Sequence, residues 1–315
     1  MSVILTNLRK ADPASISAAA AILRNGGLVA FPTETVYGLG ADATNGEAVA
    51  SIFSAKRRPR FNPLIVHVVD RAQAETFAKF SPEARVLADA FWPGALTLVL
   101  PRRAVGALSL LVSAGLDTVA VRAPSHALAR QLIAETAKPI AAPSANASGR
   151  VSPTTAAHVA EELGDAVDLI LDGGRAALGI ESTVVGFESG KPVLLRPGAV
   201  AREKIEKIIG TLGAPSNASI SSPGQLESHY APRAMLRLNV RDAEAGETLL
   251  SFGEMPGAMN LSPTGDLKEA AANLFAMLRK LDASGAVRIA VAPIPQHGLG
   301  EAINDRLLRA AAPRP

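Results

Sequence analysis

The sequence predicts an α/β fold, in which a twisted, open, mixed sheet is flanked by helices and followed by a small C-terminal α/β/α domain. The chain has 315 residues, more than the roughly 100–200 of a usual single domain. Hydrophobic residues make up 48%, charged residues 19% and aromatic residues 4%, which is typical of soluble α/β proteins with aliphatic cores. Several neighbouring strand-like runs have no helix between them, which favours a mixed sheet over a purely parallel one.

The first helix is marked at both ends. Asp12 suits the N-cap, Pro13 suits the first turn, and Gly26 and Gly27 end the pattern. Apolar runs and helical periodicity predict the elements that follow. Strands are expected at residues 28–31, 63–69, 95–100, 118–121, 140–142, 167–171, 182–187 and 193–195, and helices at 47–55, 82–91, 127–137, 154–163 and 202–209. Residues 37–40 are expected to form a turn.

The chain divides into three parts. Residues 1–210 are predicted to form the large domain, and residues 234–315 the small one. Between them, residues 211–233 are rich in Pro, Gly, Ser and Asn and lack periodicity, which indicates a linker. The small domain is expected to contain strands at 234–240, 248–252 and 287–291 and helices at 267–281 and 301–311.

Composition excludes several functional classes. The chain contains no cysteine, which rules out disulfides, thiolate zinc sites and a cysteine nucleophile. The net charge of +3 does not by itself indicate nucleic-acid binding. No signal peptide or membrane-spanning run is visible, so the protein is expected to be cytoplasmic, without membrane contact. Neither the Gly-x-Gly-x-x-Gly nor the Gly-x-x-x-x-Gly-Lys fingerprint occurs.

A dense cluster of cations precedes the second predicted strand. Lys56, Arg57, Arg58 and Arg60 all lie within residues 56–60, which indicates a bound polyanion. On the residues alone, the same cluster could be a solvated helix end, where the helix dipole favours cations. Two segments with hydroxyl and amide side chains, residues 31–40 and 143–149, suit the same ligand. Together the three segments predict a nucleotide site.

These segments, with four others in the same order, resemble the YrdC-type L-threonylcarbamoyladenylate synthases. The others are Glu181-Ser182-Thr183-Val184-Val185, Leu195-Arg196-Pro197-Gly198, Ser222-Pro223-Gly224 and His229-Tyr230-Ala231-Pro232. The resemblance spans roughly residues 15–232, and the tail beyond it is similar to the long, two-domain form of the family. Gln225 and Gly186 depart from the pattern without removing a group that carries chemistry.

The resemblance implies a set of binding residues. ATP is expected to contact Lys56, Arg58, Asn62, Thr118, Ser144, Asn146, Ser152, Arg196 and Tyr230. L-Threonine is expected to contact Thr35, His67, Arg122, Ser182 and the backbone of Ala142. Lys56 and Arg58 are the expected catalytic residues, because their charges would flank the α-phosphate and stabilise the leaving pyrophosphate.

Several of these residues have ordinary structural alternatives. His67 could be a satisfied core residue, Arg122 could form a surface ion pair, and Ser152 could only cap a helix. Arg122 also has the planar fork that binds both oxygens of a carboxylate.

The implied reaction converts L-threonine, bicarbonate and ATP into L-threonylcarbamoyl-AMP and pyrophosphate. This product supplies the threonylcarbamoyl group of adenosine 37 in certain tRNAs, so tRNA threonylcarbamoyl-transfer proteins are the expected downstream partners. Mg²⁺ is expected with ATP, because pyrophosphate must leave. The sequence shows no carboxylate cluster to hold it, so protein ligands of the metal stay unassigned.

Two alternative functions remain open at this point. An RNA-binding module without ATP turnover would use the basic surface for RNA contact. A carbamoyl-transfer component would resemble the YrdC-like part of hydrogenase-maturation proteins, but the cysteine-rich segments that accompany such domains are absent.

The end of the linker suggests a lid. A free spacer has no need of the compact sequence at 229–232, and Tyr230 could fold over the nucleotide and exclude water from the labile acyl adenylate. Alternatively, Tyr230 could only anchor the second domain.

Overall fold

The computed structural model describes residues 7–103, 108–216, 224 and 227–313. Within these residues a large sheet contains the strands β1 Leu8–Lys10, β2 Val29–Pro32, β3 Tyr37–Asp42, β4 Ile65–His67, β5 Leu96–Pro101, β6 Thr118–Arg122, β7 Ile140–Ala141, β8 Leu169–Asp172, β9 Thr183–Glu188 and β10 Lys191–Arg196. The helices of this part are α1 Pro13–Arg24, α2 Gly46–Lys56, α3 Arg71–Glu75, α4 Pro82–Phe91, α5 Ala127–Thr136, α6 Ala156–Leu163 and α7 Arg202–Ile209.

The large sheet is mixed, as the sequence predicts. Its strand order is β1-β8-β2-β3-β7-β4-β6-β5-β9-β10. The pairs β1–β8, β2–β8, β4–β6 and β5–β9 are parallel, and β2–β3, β3–β7, β4–β7, β5–β6 and β9–β10 are antiparallel. Apolar side chains from the sheet and the surrounding helices form its core.

The turn predicted at residues 37–40 is wrong, because these residues belong to β3. This strand pairs with β2 as an antiparallel hairpin, with Val29 opposite Gly40. A Cβ at Gly40 would lie 2.7 Å from the ring of Phe31. The glycine therefore makes room for an aromatic ring inside a strand rather than marking a turn.

A second, all-parallel sheet follows the linker. It contains β11 Met235–Arg237, β12 Glu247–Ser251, β13 Met259–Asn260 and β14 Arg288–Val291 in the order β11-β14-β12-β13, packed with α8 Leu267–Ala283 and α9 Leu299–Ala311. Its hydrophobic cluster also includes Val36, Val151 and Ile180 from the large domain and Tyr230 from the linker. The two domains therefore share one apolar interface, while the exact boundaries at 210 and 234 stay predictions.

Local signals fix the helix ends that matter for the site. The side chain of Asp12 accepts a hydrogen bond of 2.7 Å from the Ser15 backbone and begins α1, as predicted. Helix α2 ends at Lys56, and Arg57 adopts a left-handed conformation with φ of 49°. This reversal turns the chain so that Lys56 and Arg58 are both buried while Arg57 is exposed. No helix in the described ranges is both long and apolar enough to cross a bilayer.

Candidate active site

A small cavity lies where the strand ends of the large sheet meet the linker. Its volume is about 50 Å³. The lining residues are Thr33, Thr35, Val36, Tyr37, Gly38, Arg58, Ile65, His67, Arg122, Ala142, Pro143, Ser144, Glu181, Ser182, Arg196, Gly224 and His229. Eight of them are sequence-predicted binding residues, namely Thr35, Arg58, His67, Arg122, Ala142, Ser144, Ser182 and Arg196.

Lys56 joins two of the predicted motifs. Its buried ammonium donates to the carbonyl oxygen of Ser144 at 2.5 Å and to that of Asn146. The backbone N–H of Ser148 in turn donates to the Lys56 carbonyl at 2.9 Å. Burial, with the neighbouring charge of Arg58, holds the pKa of Lys56 well below its ordinary value. Lys56 is thus buried, and the solvated-face alternative is wrong for it.

Arg58 is held in the same way, by backbone carbonyls. Its Nε donates to the Asn62 carbonyl at 3.1 Å and its Nη2 to the Pro63 carbonyl at 2.8 Å. Burial lowers the pKa of Arg58 to about 10, so the guanidinium keeps its charge at neutral pH. Because carbonyl oxygens carry no net charge, the positive charge of Arg58 stays available for an anion.

Buried polar atoms without hydrogen-bond partners surround these cations. Among the described residues they include both amide atoms of Asn62, Oδ1 of Asn146, Nδ1 of His67, Nδ1 of His229 and the hydroxyl of Tyr230. Such atoms are rare in native interiors, because each loses its hydrogen bonds to water. Their concentration here indicates a polar ligand that supplies the missing partners.

Arg122 lies opposite, at the end of β6. Its Nε donates to the Gly94 carbonyl at 3.1 Å and its Nη1 to the Thr35 hydroxyl at 2.9 Å, while its Nη2 lies 2.7 Å from Oε1 of Glu34. Burial alone would raise the pKa of Glu34, but the charge and hydrogen bond of Arg122 lower it to about 2. Arg122 is therefore fixed by a buried ion pair, and its remaining Nη hydrogens are available to a ligand carboxylate.

His67 and Ala142 complete this side of the cavity. His67 lies beside Arg122 in the parallel pair β4–β6, and burial, then the charge of Arg122, lowers the pKa of His67 to about 3. The imidazole is therefore neutral at physiological pH. The N–H of Ala142 donates to the Ile65 carbonyl at 2.9 Å, so the carbonyl oxygen is the backbone group that Ala142 offers to a ligand.

The start of β9 links the two halves of the cavity. The Ser182 hydroxyl lies 2.7 Å from that of Thr97, and Arg196 donates to the Ser182 carbonyl at 2.8 Å. The hydroxyl of Ser152 donates to Oε1 of Glu181 at 2.5 Å. The helix-cap alternative is wrong for Ser152, because Thr155 is the N-cap of α6 and the Ser152 hydroxyl binds a carboxylate on the cavity wall.

Six predicted residues do not line the cavity itself. Lys56, Asn62, Asn146 and Ser152 are buried and contact lining residues, and Tyr230 is buried against the lining residue His229. Thr118 is different, since it begins β6 opposite Pro101, at the far end of the strand from Arg122. The structure does not bring Thr118 to this cavity.

The linker contributes to the cavity wall, and the small domain packs against the linker. Gly224 and His229 belong to its wall, and the ring of Tyr230 lies between Phe275 of α8, at 5.6 Å, and Arg306 of α9, at 5.0 Å. Burial and the surrounding cations, led by Arg58, hold the pKa of His229 well below its ordinary value. Linker residues 217–223 and 225–226, which include Ser222, Pro223 and Gln225, lie outside the described residues.

Sequence reasoning missed four residues of this arrangement. Glu34, Glu181 and His229 lie inside the sequence motifs, but the motifs do not predict a role for them. Each of the three directly precedes a predicted binding residue in the sequence, and this position was the signal that could have identified it. Arg306 belongs to no motif, so no sequence signal singled it out.

The described residues do not fit a protein-held metal. No group of three or more His, Cys, Asp or Glu side chains converges anywhere in the described ranges. The two carboxylates nearest the cavity, Glu34 and Glu181, are each paired with an arginine. Oε1 of Glu34 and both oxygens of Glu181 have protein partners, and Oε2 of Glu34 has none.

Two family profiles cover this arrangement almost end to end. Residues 21–198 match the Sua5/YciO/YrdC profile, described as "Telomere recombination". Residues 200–312 match the profile "Threonylcarbamoyl-AMP synthase, C-terminal domain". The chain belongs to the Sua5/YciO/YrdC family. Its second matching profile places it with the two-domain members of that family, as the resemblance implies.

Full-length relatives within the Sua5/YciO/YrdC family share this organisation. The chain is 42% identical to a Pyrococcus abyssi protein named threonylcarbamoyl-AMP synthase, over 100% of this chain and 99% of that protein. A Bacillus subtilis protein of the same name is 43% identical over 96% of this chain and 94% of that protein. The crystal structure of P. abyssi Sua5 complexed with L-threonine matches with a TM-score of 0.89 and 40% identity, over 98% of each chain.

Proposed function

We infer that this chain is a threonylcarbamoyl-AMP synthase. The single observation that carries the inference is a full-length match to proteins of that name. The cavity supports the inference chemically. It combines buried cations, polar atoms that lack hydrogen-bond partners, and Arg122, which the Glu34 ion pair fixes in place and which can bind a carboxylate. Its substrates are ATP, L-threonine and bicarbonate.

We propose the following division of the site. Arg122, Thr35, His67, Ser182 and the Ala142 carbonyl bind threonine. Lys56, Arg58, Asn62, Ser144, Asn146, Ser152, Arg196 and Tyr230 bind ATP. Neutral His67 can accept or donate a hydrogen bond without repelling the substrate ammonium. Thr118 is kept as an ATP contact only on the resemblance, since it lies away from the cavity.

The chemistry follows from this placement. Bicarbonate releases carbon dioxide and hydroxide. The neutral threonine nitrogen forms a bond to the carbon of carbon dioxide and loses a proton, which combines with the hydroxide to form water, and the carbamate results. A carbamate oxygen then attacks the α-phosphorus, the bond to the β-phosphate breaks, and pyrophosphate leaves. Lys56 and Arg58 stabilise the negative charge that shifts to the leaving group, and no covalent enzyme intermediate is needed.

We propose that Mg²⁺ arrives as part of the MgATP substrate, with phosphate oxygens and water as its ligands. The product is an activated acyl adenylate, so its downstream partners are tRNA threonylcarbamoyl-transfer proteins in the cytoplasm.

Pyrophosphate release tests the activity. With MgATP present, release should require L-threonine and bicarbonate together, because the carbamate is the nucleophile. A matched reaction without threonine is the control. Equal release in that control would contradict the assignment. RNA binding that weakens with salt, without any ATP turnover, would instead favour the RNA-binding alternative.

A further inference from the structure

Arg306 reaches the catalytic cavity wall from the small domain. It lies on α9 and is only 1% exposed. Its Nε donates to Oε2 of Glu181 at 2.9 Å, its Nη2 donates to the Pro197 carbonyl at 3.0 Å, and its Nη1 contacts Asp305. Its guanidinium carbon also lies 5.0 Å from the centre of the Tyr230 ring.

Three of these four contacts, those with Glu181, Pro197 and Tyr230, lead to a residue assigned above to ATP. Glu181 forms part of the cavity wall and receives the Ser152 hydroxyl on its other oxygen. Pro197 directly follows Arg196, and Tyr230 is the linker ring that covers the site. One guanidinium therefore fixes three separate parts of the proposed nucleotide site.

Domain docking alone does not account for this burial. Another ion pair on the same helix, Arg202–Glu301, joins the two domains at 2.5 Å with side chains 34% and 28% exposed. A fully buried pair loses much more hydration than a partly exposed one, and similar apolar residues often stabilise a fold better. The buried Arg306–Glu181 pair instead orients its neighbours, because the planar guanidinium binds several partners in fixed directions at once.

We propose that Arg306 is a positioning residue for ATP, which makes the small domain an integral part of the nucleotide site. The inference rests on the proposed function. Arg306 holds the Glu181 carboxylate so that it orients Ser152, and it holds the Tyr230 ring over the cavity. It does not itself need to touch the substrate.

Kinetics and binding of the full-length protein provide the test. Arg306→Met removes the fork but keeps an apolar side chain of similar length, and Arg306→Lys keeps the charge. Glu301→Gln is the matched control, since it breaks the other interdomain pair on α9. We expect Arg306→Met to raise the KM for ATP and the calorimetric Kd of ATP about tenfold or more. Arg306→Lys should recover part of this loss. Glu301→Gln should change the KM and Kd for ATP by less than about twofold. In Arg306→Met, the KM for threonine should also change by less than about twofold.

Several outcomes would overturn the proposal. An unchanged KM and Kd for ATP in folded Arg306→Met would make the residue structural only, as would an equal effect of Glu301→Gln. If Arg306→Met does not fold, unchanged ATP binding by folded Arg306→Lys gives the same answer. The calorimetric Kd decides the role of Arg306 even without turnover, whereas a wild-type protein that binds ATP but releases no pyrophosphate contradicts the proposed function instead.

Discussion

The cationic side chains in and around this cavity fall into two electrostatic classes. Lys56 and Arg58 donate to neutral carbonyl oxygens, so their charges are not cancelled before a ligand arrives. Arg122 and Arg306, by contrast, are each paired with a buried carboxylate. The first class suits attraction of phosphate, and the second suits precise orientation.

Lys56→Ala and Arg58→Ala should therefore each reduce turnover by about a hundredfold or more, as the loss of one preorganised electrostatic group commonly does. The measurement is the rate of pyrophosphate release at saturating substrates, with a melting curve to show that the fold persists. Arg60→Ala is the matched control, because Arg60 belongs to the same basic segment but is exposed. Near-normal turnover in Lys56→Ala and Arg58→Ala would contradict the catalytic roles.

The Glu34–Arg122 pair predicts a pH dependence of stability. The pKa of Glu34 falls from 4.5 to about 2 on folding, so its stabilising contribution is complete above pH 4.5 and is lost as pH falls toward 2. The shift corresponds to roughly 3 kcal/mol. In denaturant titrations, Glu34→Gln should be less stable than wild type at pH 7, and the difference should shrink between pH 4.5 and 2. A difference independent of pH would refute this linkage.

At the scale of elements, the sequence predicted what carries a strong local pattern. The bounds of α4 and α7 were correct to the residue, and α1 was marked by its Asp12 cap. The hairpin strand β3 was predicted as a turn because of its glycines. The structure shows instead that Gly40 makes room for the Phe31 ring, which packs across the sheet. Contacts between residues distant in sequence, such as Arg306 with Glu181, leave no local pattern and could not be predicted.

The linker end makes a prediction of its own. Tyr230 is 1% exposed and packs on Phe275 above the cavity, so it can exclude water from the acyl adenylate. Tyr230→Ala should release more free AMP per pyrophosphate, measured by chromatography of single reactions. Tyr230→Phe, which keeps the ring and loses only the unpartnered hydroxyl, should partition like wild type. If Tyr230→Ala leaves the AMP fraction unchanged, the ring serves only as an anchor.

At the scale of the molecule, one apolar cluster spans both domains. Val36, Val151 and Ile180 of the large domain belong to the same cluster as Leu274 and Phe275 of α8. The cavity of about 50 Å³ beneath it is far smaller than the roughly 300–1,000 Å³ of usual ligand pockets. The cavity in this arrangement is therefore too small to hold a whole ATP molecule.

The shared cluster predicts that the chain unfolds as one unit. Phe275→Ala should cost about 3–5 kcal/mol, because the residue is fully buried between the domains. In calorimetry, wild type should show one transition with equal calorimetric and van't Hoff enthalpies, and the variant should shift that whole transition downward. Two transitions, of which Phe275→Ala moves only one, would show that the domains unfold independently.

The position of Arg306 in the chain also affects how the protein acquires activity during its synthesis. Arg306 follows Arg196 by about 110 residues. At 5–20 residues per second, a ribosome needs roughly 5–20 s to translate that interval. Throughout it, the nascent chain carries the motifs up to Arg196 but lacks the Arg306 side chain. A premature stop codon in this interval would thus yield a fragment that keeps the motifs of the large domain and binds ATP poorly.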